Sequence, residues 1–248
     1  MVSPDAIEAA RGLLAGRRVL VIGSSGAIGA AIVAALSRSG ADVVRADRVD
    51  EDIDIHVDVC CERSVRAAFD AAGAVTDVVN AAGTLSVGPL AAAALEEFQR
   101  VMDVNLKGAF LVGREAARRL PSGGSLTMLA SQAGFRGAAN WGLYCAAKAA
   151  VISLCETLAR ELGASRIRVN ALCPGNVETP MSDEWMRRIA DIEGISAATV
   201  RRRSLEATPL GRFADVGEIA DVCVFLVSPL AAYTSGVALP VDGGEVSA

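Results

Sequence analysis

Tyr144 and Lys148 lie four positions apart near the start of a predicted helix, in the segment NWGLYCAAKAA. Side chains at i and i+4 share one helix face, about 5–6 Å apart at Cβ. At about 4 Å and an effective dielectric constant of about 20, an ammonium favours the phenolate by about 4 kcal/mol, or about 3 pKa units. The pair therefore indicates a general acid/base near physiological pH. An isolated Y-x-x-x-K is more often a half-buried Tyr beside a solvated Lys, so other motifs must decide.

Both residue types are scarce in this chain. Its two lysines are Lys107 and Lys148, and its two tyrosines are Tyr144 and Tyr233. Because Arg supplies almost all other positive charge, Lys at these positions indicates that an ammonium is required there. The only histidine, His56, lies in the alternating run DIDIHVDV, which favours a structural role. Hydrolytic triads and His-based dehydrogenases would have to be built around this one residue.

The composition is that of a globular chain. The 248 residues are 52% hydrophobic and 21% charged, with a formal net charge of −5. We expect one domain over residues 1–248, no membrane-spanning run and no nucleic-acid partner. The six cysteines have no C-x-x-C pair, so we expect mostly buried residues and no metal site. The first residues lack a secretory pattern, and a cytoplasmic location follows by default.

Short Val/Ile/Leu-rich runs alternate with Ala-rich helical stretches along the chain. This order predicts an α/β fold, a Rossmann-type doubly wound parallel sheet of about seven strands with helices on both faces. Ligands of such sheets bind beyond the carboxyl ends of the strands, so residues that follow each apolar run are functional candidates. The long stretch without clear periodicity, about residues 176–212, is predicted to be a substrate loop or lid.

The turn VIGSSGAIGA lies between the first predicted strand and helix. Its glycines, Gly23, Gly26 and Gly29, let the backbone approach a pyrophosphate at the N-terminus of a helix. Asp47 ends the second predicted strand, where an acid accepts hydrogen bonds from the adenosine ribose and repels a 2′-phosphate. We therefore expect NAD, although the adjacent Arg48 leaves NADP open.

Several ordered motifs together resemble the short-chain dehydrogenase/reductase family, in its shorter single-domain branch. Ser131 stands thirteen residues before Tyr144, Asn105 lies in VNLKG, and NAAG spans Asn80 to Gly83. Asp58-Val59 is similar to the adenine-contacting pair of the family, and CPGNVETPM to its P-G-x-V-x-T segment. The resemblance runs from about residue 15 to about residue 246.

The resemblance implies hydride transfer between a nicotinamide and a carbonyl or secondary alcohol. Tyr144 is then the general acid/base, Lys148 lowers its pKa and binds the nicotinamide ribose, Ser131 orients the substrate oxygen, and Asn105 holds a water in a proton relay. The implied cofactor-binding residues are Gly23, Ser25, Gly26, Ala27, Ile28, Asp47, Asp58, Val59, Asn80, Ala81, Ala82, Gly83, Tyr144, Lys148, Pro174, Gly175, Val177 and Thr179.

Two positions depart from the family pattern. Ala27 stands for the middle glycine of the turn while Gly26 comes one place early, a spacing closer to the longer branch of epimerases and dehydratases. We expect Gly26 to adopt the unusual backbone angles of the turn. Ala81 replaces a frequent second Asn, which we do not expect to affect activity.

Ser131, Gln132, Trp141, Met181 and Trp185 are the candidate substrate contacts. The long loop and the C-terminal ending resemble those of sugar-alcohol and acetoin dehydrogenases, which favours a polyol, sugar alcohol or diol. The alternatives are a 3-oxoacyl-[acyl-carrier-protein] reductase that uses NADPH and a non-catalytic dinucleotide-sensing protein. The resemblance also implies a homotetramer or a homodimer.

Overall fold

One parallel sheet of seven strands organises the part of the chain that this computed structural model describes, residues 12–49 and 52–246. Its strand order is β3-β2-β1-β4-β5-β6-β7, and every neighbouring pair is parallel. The order reverses direction between β1 and β4, which opens a crevice at the carboxyl ends of these strands. The predicted doubly wound fold is confirmed. The strands are β1 Arg18–Ile22, β2 Asp42–Asp47, β3 Ile55–His56, β4 Asp77–Asn80, β5 Ser125–Leu129, β6 Arg168–Pro174 and β7 Ala238–Val241.

Helices cover both faces of the sheet, so the central strands are buried on both sides. Val19 and Val21 of β1 pack in the core with the two helices of one face, α1 and α8, whereas Leu20 and Ile22 pack in the core with α2, α4 and α5 on the other face. The helices are α1 Ala27–Arg38, α2 Glu62–Ala72, α3 Leu95–Met102, α4 Gly108–Arg119, α5 Gly142–Leu162, α6 Pro180–Glu193, α7 Ala197–Ala207 and α8 Val216–Val227.

The region predicted as a loop, about 176–212, forms α6 and α7. Thr179 caps α6 through the Ser182 N–H, and Ser196 caps α7 through the Thr199 N–H. The two helices share a small core of their own, formed by Met186, Ile189, Ala190, Val200 and Phe213. The region is therefore largely helical rather than a loop, and its role as a substrate lid stays a prediction.

Helix α5 is long and apolar enough, by length and composition alone, for a membrane span over Gly142–Ser165. In this fold it packs against β6 and buries Cys145, Ala147, Lys148, Val151 and Cys155. A buried lysine and a sheet-facing side are features of a core helix in an α/β fold.

Candidate active site

A cavity of about 650 Å³ lies at the carboxyl ends of the central strands, where the fold places its ligands. The predicted residues in its lining are Ser25, Gly26, Ala27, Ile28, Ala81, Gly83, Ser131, Gln132, Trp141, Tyr144, Lys148, Pro174, Gly175, Val177, Thr179, Met181 and Trp185. The predicted residues outside its lining are Gly23, Asp47, Asp58, Val59, Asn80, Ala82 and Asn105. The structure thus brings most of the predicted site to one cavity.

The glycine-rich turn forms one end of this cavity. Gly23 has a φ of 83°, and its N–H donates a 2.9 Å hydrogen bond to the Ala46 carbonyl oxygen. A Cβ on Gly29 would lie 1.9 Å from the Gly23 carbonyl oxygen, so the turn and α1 pack too closely for a side chain. Gly26 instead has an extended backbone, with φ −67° and ψ 155°. The expectation that Gly26 adopts the unusual backbone angles is therefore wrong, because the positive φ of the turn lies at Gly23.

The same turn offers a cradle for a pyrophosphate. Helix α1 begins at Ala27 with no side-chain cap and no acidic residue in its first turn. The N–H groups of that turn therefore face the cavity end without a competing side-chain acceptor. This local arrangement fits the pyrophosphate of a dinucleotide.

Asp47 lies beside the turn at the end of β2. Its Oδ2 accepts a 2.9 Å hydrogen bond from the Ser25 N–H, and its Oδ1 accepts one of 2.7 Å from the Arg48 N–H. The carboxylate is thus held next to the glycine-rich turn, where the ribose of a bound dinucleotide lies in this fold. The neighbouring Arg48 side chain is exposed.

The other predicted cofactor contacts on this side of the site lie outside the cavity lining. Asn80 Oδ1 accepts a 3.3 Å hydrogen bond from the Ala82 N–H, and the Ala82 backbone packs directly on Gly23. Asp58 Oδ1 accepts a 2.9 Å hydrogen bond from the Cys60 N–H. Val59 is buried. Asp58 and Val59 stay predicted contacts for adenine, and Asn80 and Ala82 stay predicted cofactor contacts.

Asn105 is buried in a π-helical turn, Asp103–Lys107, between α3 and α4. Its Oδ1 accepts a 3.0 Å hydrogen bond from the Thr84 N–H, and its Nδ2 donates one of 2.9 Å to the Thr84 carbonyl oxygen. A Cβ on Gly83 would lie 3.2 Å from Asn105 Oδ1 and 3.4 Å from Lys148 Nζ, so these two atoms flank one glycine. Such π-turns are frequent at functional sites.

Lys107, in contrast, does not belong to the site. It is 44% exposed and pairs with Asp103 at 2.8 Å, one helical turn away. This ion pair raises the pKa of Lys107. The idea that both lysines are needed for chemistry is therefore wrong for Lys107, which forms an ordinary surface pair.

Ser131, Tyr144 and Lys148 meet where β5 ends and α5 begins. Ser131 caps the short turn after β5, where its Oγ accepts a 3.2 Å hydrogen bond from the Ala133 N–H. Lys148 Nζ lies 5.7 Å from the centre of the Tyr144 ring and donates a 2.8 Å hydrogen bond to the Leu129 carbonyl oxygen. The i and i+4 spacing thus places both side chains of α5 at the same cavity.

Burial controls the proton affinities of this pair. The cavity leaves part of Tyr144 accessible, yet the surrounding protein atoms remove most of its hydration and raise its pKa to about 12, while the Ser131 hydroxyl acts in the opposite direction. Burial also lowers the pKa of Lys148 to about 8. The expectation that Lys148 alone brings the phenol near physiological pH is wrong for this state, because desolvation dominates.

The segment after β6 forms the opposite wall. The Gly175 N–H donates a 3.0 Å hydrogen bond to the Val241 carbonyl oxygen, and a Cβ there would lie 2.6 Å from Asp242 Cα. Val177 forms an isolated bridge with Ala214, and Thr179 caps α6. The P-G-x-V-x-T segment therefore runs between the sheet and the helical pair.

Aromatic rings form the wall next to Tyr144. The Trp141 ring lies 5.9 Å from Tyr144 and 5.5 Å from Trp185, edge to face in both cases. Met181, 43% exposed, lies at the start of α6 in the same wall. Gln132 follows Ser131 directly, and its Oε1 is buried without a hydrogen-bond partner among the described residues.

The sequence-based reasoning missed several polar residues of the lining, among them Arg136, Asn176 and Glu245. Asn176 and Glu245 follow β6 and β7 and therefore obey the rule that ligands bind beyond strand ends. Inspecting the residues after the last strand, in VDGGEVSA, would have found Glu245.

Comparison with known proteins identifies the class that this fold and site define. A family model described as Enoyl-(Acyl carrier protein) reductase matches residues 22–245. The chain belongs to the short-chain dehydrogenase/reductase family. It is therefore an NAD(P)-dependent oxidoreductase that acts on CH–OH groups.

Individual relatives span nearly the whole chain. L-xylulose reductase of Bos taurus is 35% identical, over 93% of this chain and 97% of the relative. A 3-alpha-(or 20-beta)-hydroxysteroid dehydrogenase of Mycobacterium bovis is also 35% identical, over 95% of this chain and 92% of the relative. The crystal structure of levodione reductase matches with a TM-score of 0.86 and 28% identity, over 95% of this chain and 99% of that one.

Proposed function

We propose that this protein is an NAD-dependent dehydrogenase that interconverts a secondary alcohol and a ketone, with a polyol, sugar alcohol or diol as substrate. The observation that carries the proposal is the convergence of Ser131, Tyr144 and Lys148 on one cavity, next to the glycine-rich turn. A hydroxyl, a phenol and an ammonium at one strand end can hold a substrate oxygen and move its proton.

In this proposal Tyr144 transfers the proton of the substrate oxygen through its phenolic hydroxyl. The bound nicotinamide supplies the carbon that accepts or returns hydride. Ser131 orients the substrate oxygen, and Lys148 binds the nicotinamide ribose and favours the phenolate. Asn105 holds the chain around Gly83 and Thr84 and positions a water between itself and Lys148.

The preference for NAD rests on Asp47. Its carboxylate lies beside Ser25 at the end of β2, and a phosphate placed there would meet its negative charge. The cofactor residues in the turn, after β4 and after β6 belong to the same proposal. The exposed Arg48 next to Asp47 would instead favour a 2′-phosphate.

The polyol preference draws on the relatives and on the cavity. L-xylulose reductase acts on a sugar, as its name states, and it is among the relatives that span the chain. The cavity joins an aromatic wall, formed by Trp141 and Trp185, to the polar groups of Gln132, Asn176 and Glu245. A 3-oxoacyl-carrier reductase is not favoured.

The wider organisation is also part of the proposal. We place the chain in the cytoplasm as one domain over residues 1–248, with α6 and α7 as a lid, and without metal, membrane or nucleic-acid partners. Homotetramer or homodimer formation is supported by exposed apolar side chains, among them Leu95, Phe98 and Phe110 on α3 and α4. Such side chains stabilise an interface between copies when paired.

Initial rates with NAD⁺ and NADP⁺ test the proposal directly. The purified chain is incubated with a panel of pentitols, vicinal diols, cyclic hydroxyketones and 3-hydroxyacyl thioesters, and reduced nicotinamide is followed by absorbance. We expect NADH formation with polyols or diols and a higher kcat/KM with NAD⁺ than with NADP⁺. Turnover restricted to 3-hydroxyacyl thioesters with NADP⁺ would contradict it.

A further inference from the structure

The segment after β7 is folded against the substrate end of the cavity. Asp242 fixes it, because its Oδ1 accepts a 3.0 Å hydrogen bond from the Gly244 N–H and its Oδ2 one of 2.8 Å from the Val246 N–H. Arg136 donates a 3.0 Å hydrogen bond to the Glu245 carbonyl oxygen. Glu245 and Val246 therefore lie in the cavity lining at defined positions.

The Glu245 carboxylate is only half satisfied by the protein. Its Oε2 accepts a 2.9 Å hydrogen bond from Asn176 Nδ2 and lies 3.2 Å from Thr208 Oγ1, whose hydrogen is shared with the Ser204 carbonyl oxygen. Among residues 12–49 and 52–246, no group donates a hydrogen bond to Oε1, and no cation lies within ion-pair distance. A carboxylate oxygen of the cavity lining that has no protein donor can accept a hydrogen bond from a ligand.

A second acceptor at the same end also lacks a donor. Gln132 Oε1 is buried without a partner among the described residues, and it would lie 2.9 Å from a Cβ on Gly175. Asp242 also packs on Gly175, so Gln132 lies beside the strand end from which the segment of Glu245 leaves. Because Gln132 Oε1 is buried, the free oxygen of Glu245 is the acceptor at this end that a ligand hydroxyl can reach.

Arg136 also lines the cavity but does not pair with the Glu245 carboxylate. Its side chain is exposed, and its hydrogen bond goes to the Glu245 backbone oxygen rather than to the carboxylate. A ligand carboxylate or phosphate at this end would therefore be repelled by the negative charge of Glu245.

We propose that Glu245 is a specificity-determining residue that accepts a hydrogen bond from a substrate hydroxyl remote from the reacting carbon and disfavours substrates with an anionic group there. The inference rests on the proposed function and sharpens it: the substrate class is a neutral, hydroxyl-rich alcohol or ketone. Glu245 acts on substrate choice, and the proton transfer stays with Tyr144.

Glu245→Gln tests this with little structural change, because the amide oxygen still accepts from Asn176 while the charge is removed. Kinetics are measured with NAD⁺ for a neutral pentitol and for a 3-hydroxy acid with a free carboxylate and the same chain length. We expect KM for the pentitol to rise about fivefold to tenfold with kcat within about twofold. The ratio of kcat/KM for the hydroxy acid to that for the pentitol should rise at least about tenfold.

Glu206→Gln is the matched control. Glu206 is 68% exposed on α7 and pairs with Arg202, so Glu206→Gln removes the same charge outside the cavity. It should leave both kcat/KM values within about twofold. Thermal unfolding and NAD⁺ affinity, followed by tryptophan fluorescence, show whether each variant keeps its fold and cofactor site.

The outcomes separate this inference from the function on which it rests. A wild-type protein that turns over no alcohol or ketone overturns the proposed function. An active wild type whose substrate ratio is unchanged by Glu245→Gln overturns only the role of Glu245. Equal losses for both substrates with a lowered melting temperature also overturn it, because they show that Glu245 merely holds the C-terminal segment.

Discussion

Lys148 Nζ donates its 2.8 Å hydrogen bond to the carbonyl oxygen of Leu129, the last residue of β5. The bond ties α5 to the strand that Ser131 follows, and it fixes the ammonium within 5.7 Å of the Tyr144 ring centre. No carboxylate among the described residues pairs with Lys148, and burial lowers its pKa to about 8. The free protein therefore carries a destabilising charge at its proposed active centre.

Lys148→Met should stabilise the protein without cofactor at neutral pH. The pKa of Lys148 falls from 10.5 to about 8 on folding. The burial penalty is therefore complete below about pH 8 and disappears as the pH rises towards about 10.5, since the unfolded chain keeps the proton longer. A penalty of about 3 kcal/mol, less about 1 kcal/mol for the lost hydrogen bond, predicts a gain of about 2 kcal/mol at pH 7.

Urea unfolding of wild type and variant at several pH values between 7 and 10 measures this gain. The difference in the free energy of unfolding should shrink to zero or reverse by about pH 10. Lys107→Met removes the other lysine, from an exposed pair, and should change stability by about 1 kcal/mol or less. A gain for Lys148→Met that does not vary with pH would contradict the assignment to a buried charge.

Cofactor binding should lower the pKa of Tyr144. Burial raises it to about 12 in the free protein, and a bound cationic nicotinamide adds positive charge beside the phenol. Tyr233 is fully exposed, so Tyr233→Phe leaves Tyr144 as the single tyrosine. The near-ultraviolet absorbance of tyrosinate should be absent below about pH 11 without NAD⁺ and appear at least about two pH units lower with it.

Tyr144→Phe, which keeps Tyr233, supplies the reference curve. Its titration should be the same with and without NAD⁺, because Tyr233 lies outside the cavity. A Tyr144 curve that NAD⁺ does not move would contradict the proposed proton transfer through this phenol.

The glycines of the nucleotide turn should differ sharply in tolerance to a methyl group. Gly29→Ala places Cβ 1.9 Å from the Gly23 carbonyl oxygen, and we expect a loss of about 3 kcal/mol or more in the free energy of unfolding. At Gly26, which has an extended conformation, the nearest atom would lie 3.7 Å from the added Cβ. Gly26→Ala should therefore change the free energy of unfolding by about 0.5 kcal/mol or less. Denaturant unfolding without cofactor compares the two, and similar losses would show that the turn differs from this description.

Asp47→Ser should relax cofactor preference. Removing the carboxylate beside Ser25 takes away a ribose acceptor and the charge that opposes a 2′-phosphate. We expect the ratio of NADP⁺ to NAD⁺ affinity, measured by fluorescence titration, to rise at least about tenfold. Asp221→Ser on the exposed side of α8 should leave the ratio unchanged, and an unchanged ratio in Asp47→Ser would remove the argument for NAD.

Functional residues next to the strands could be predicted because the ends of the strands can be recognised in the sequence. Ser131 and Asp47 directly follow apolar runs, and parallel strands bring their carboxyl ends to one edge of the sheet. The i and i+4 spacing of Tyr144 and Lys148 likewise needs only a helix to place both at one site.

Features that depend on tertiary packing could not be predicted from the local sequence in the same way. Gly23 rather than Gly26 takes the positive φ, and the backbone of Ala81 and Ala82, which follows β4, packs directly on Gly23. Burial, which no local spacing encodes, decides the pKa of Tyr144. The hydrogen bonds that join Glu245 to Asn176 and Thr208 likewise connect residues 69 and 37 positions apart in the sequence.

Removal of the Tyr144 phenolic oxygen tests most directly the central claim that this phenol transfers the proton of the substrate oxygen. Tyr144→Phe keeps the ring beside Trp141 and removes only the group that exchanges the proton. NADH formation from the best polyol or diol should fall about a thousandfold, with the dissociation constant of NAD⁺ within about threefold of wild type. Turnover by Tyr144→Phe within about tenfold of wild type would contradict the proposal that this phenol carries the proton.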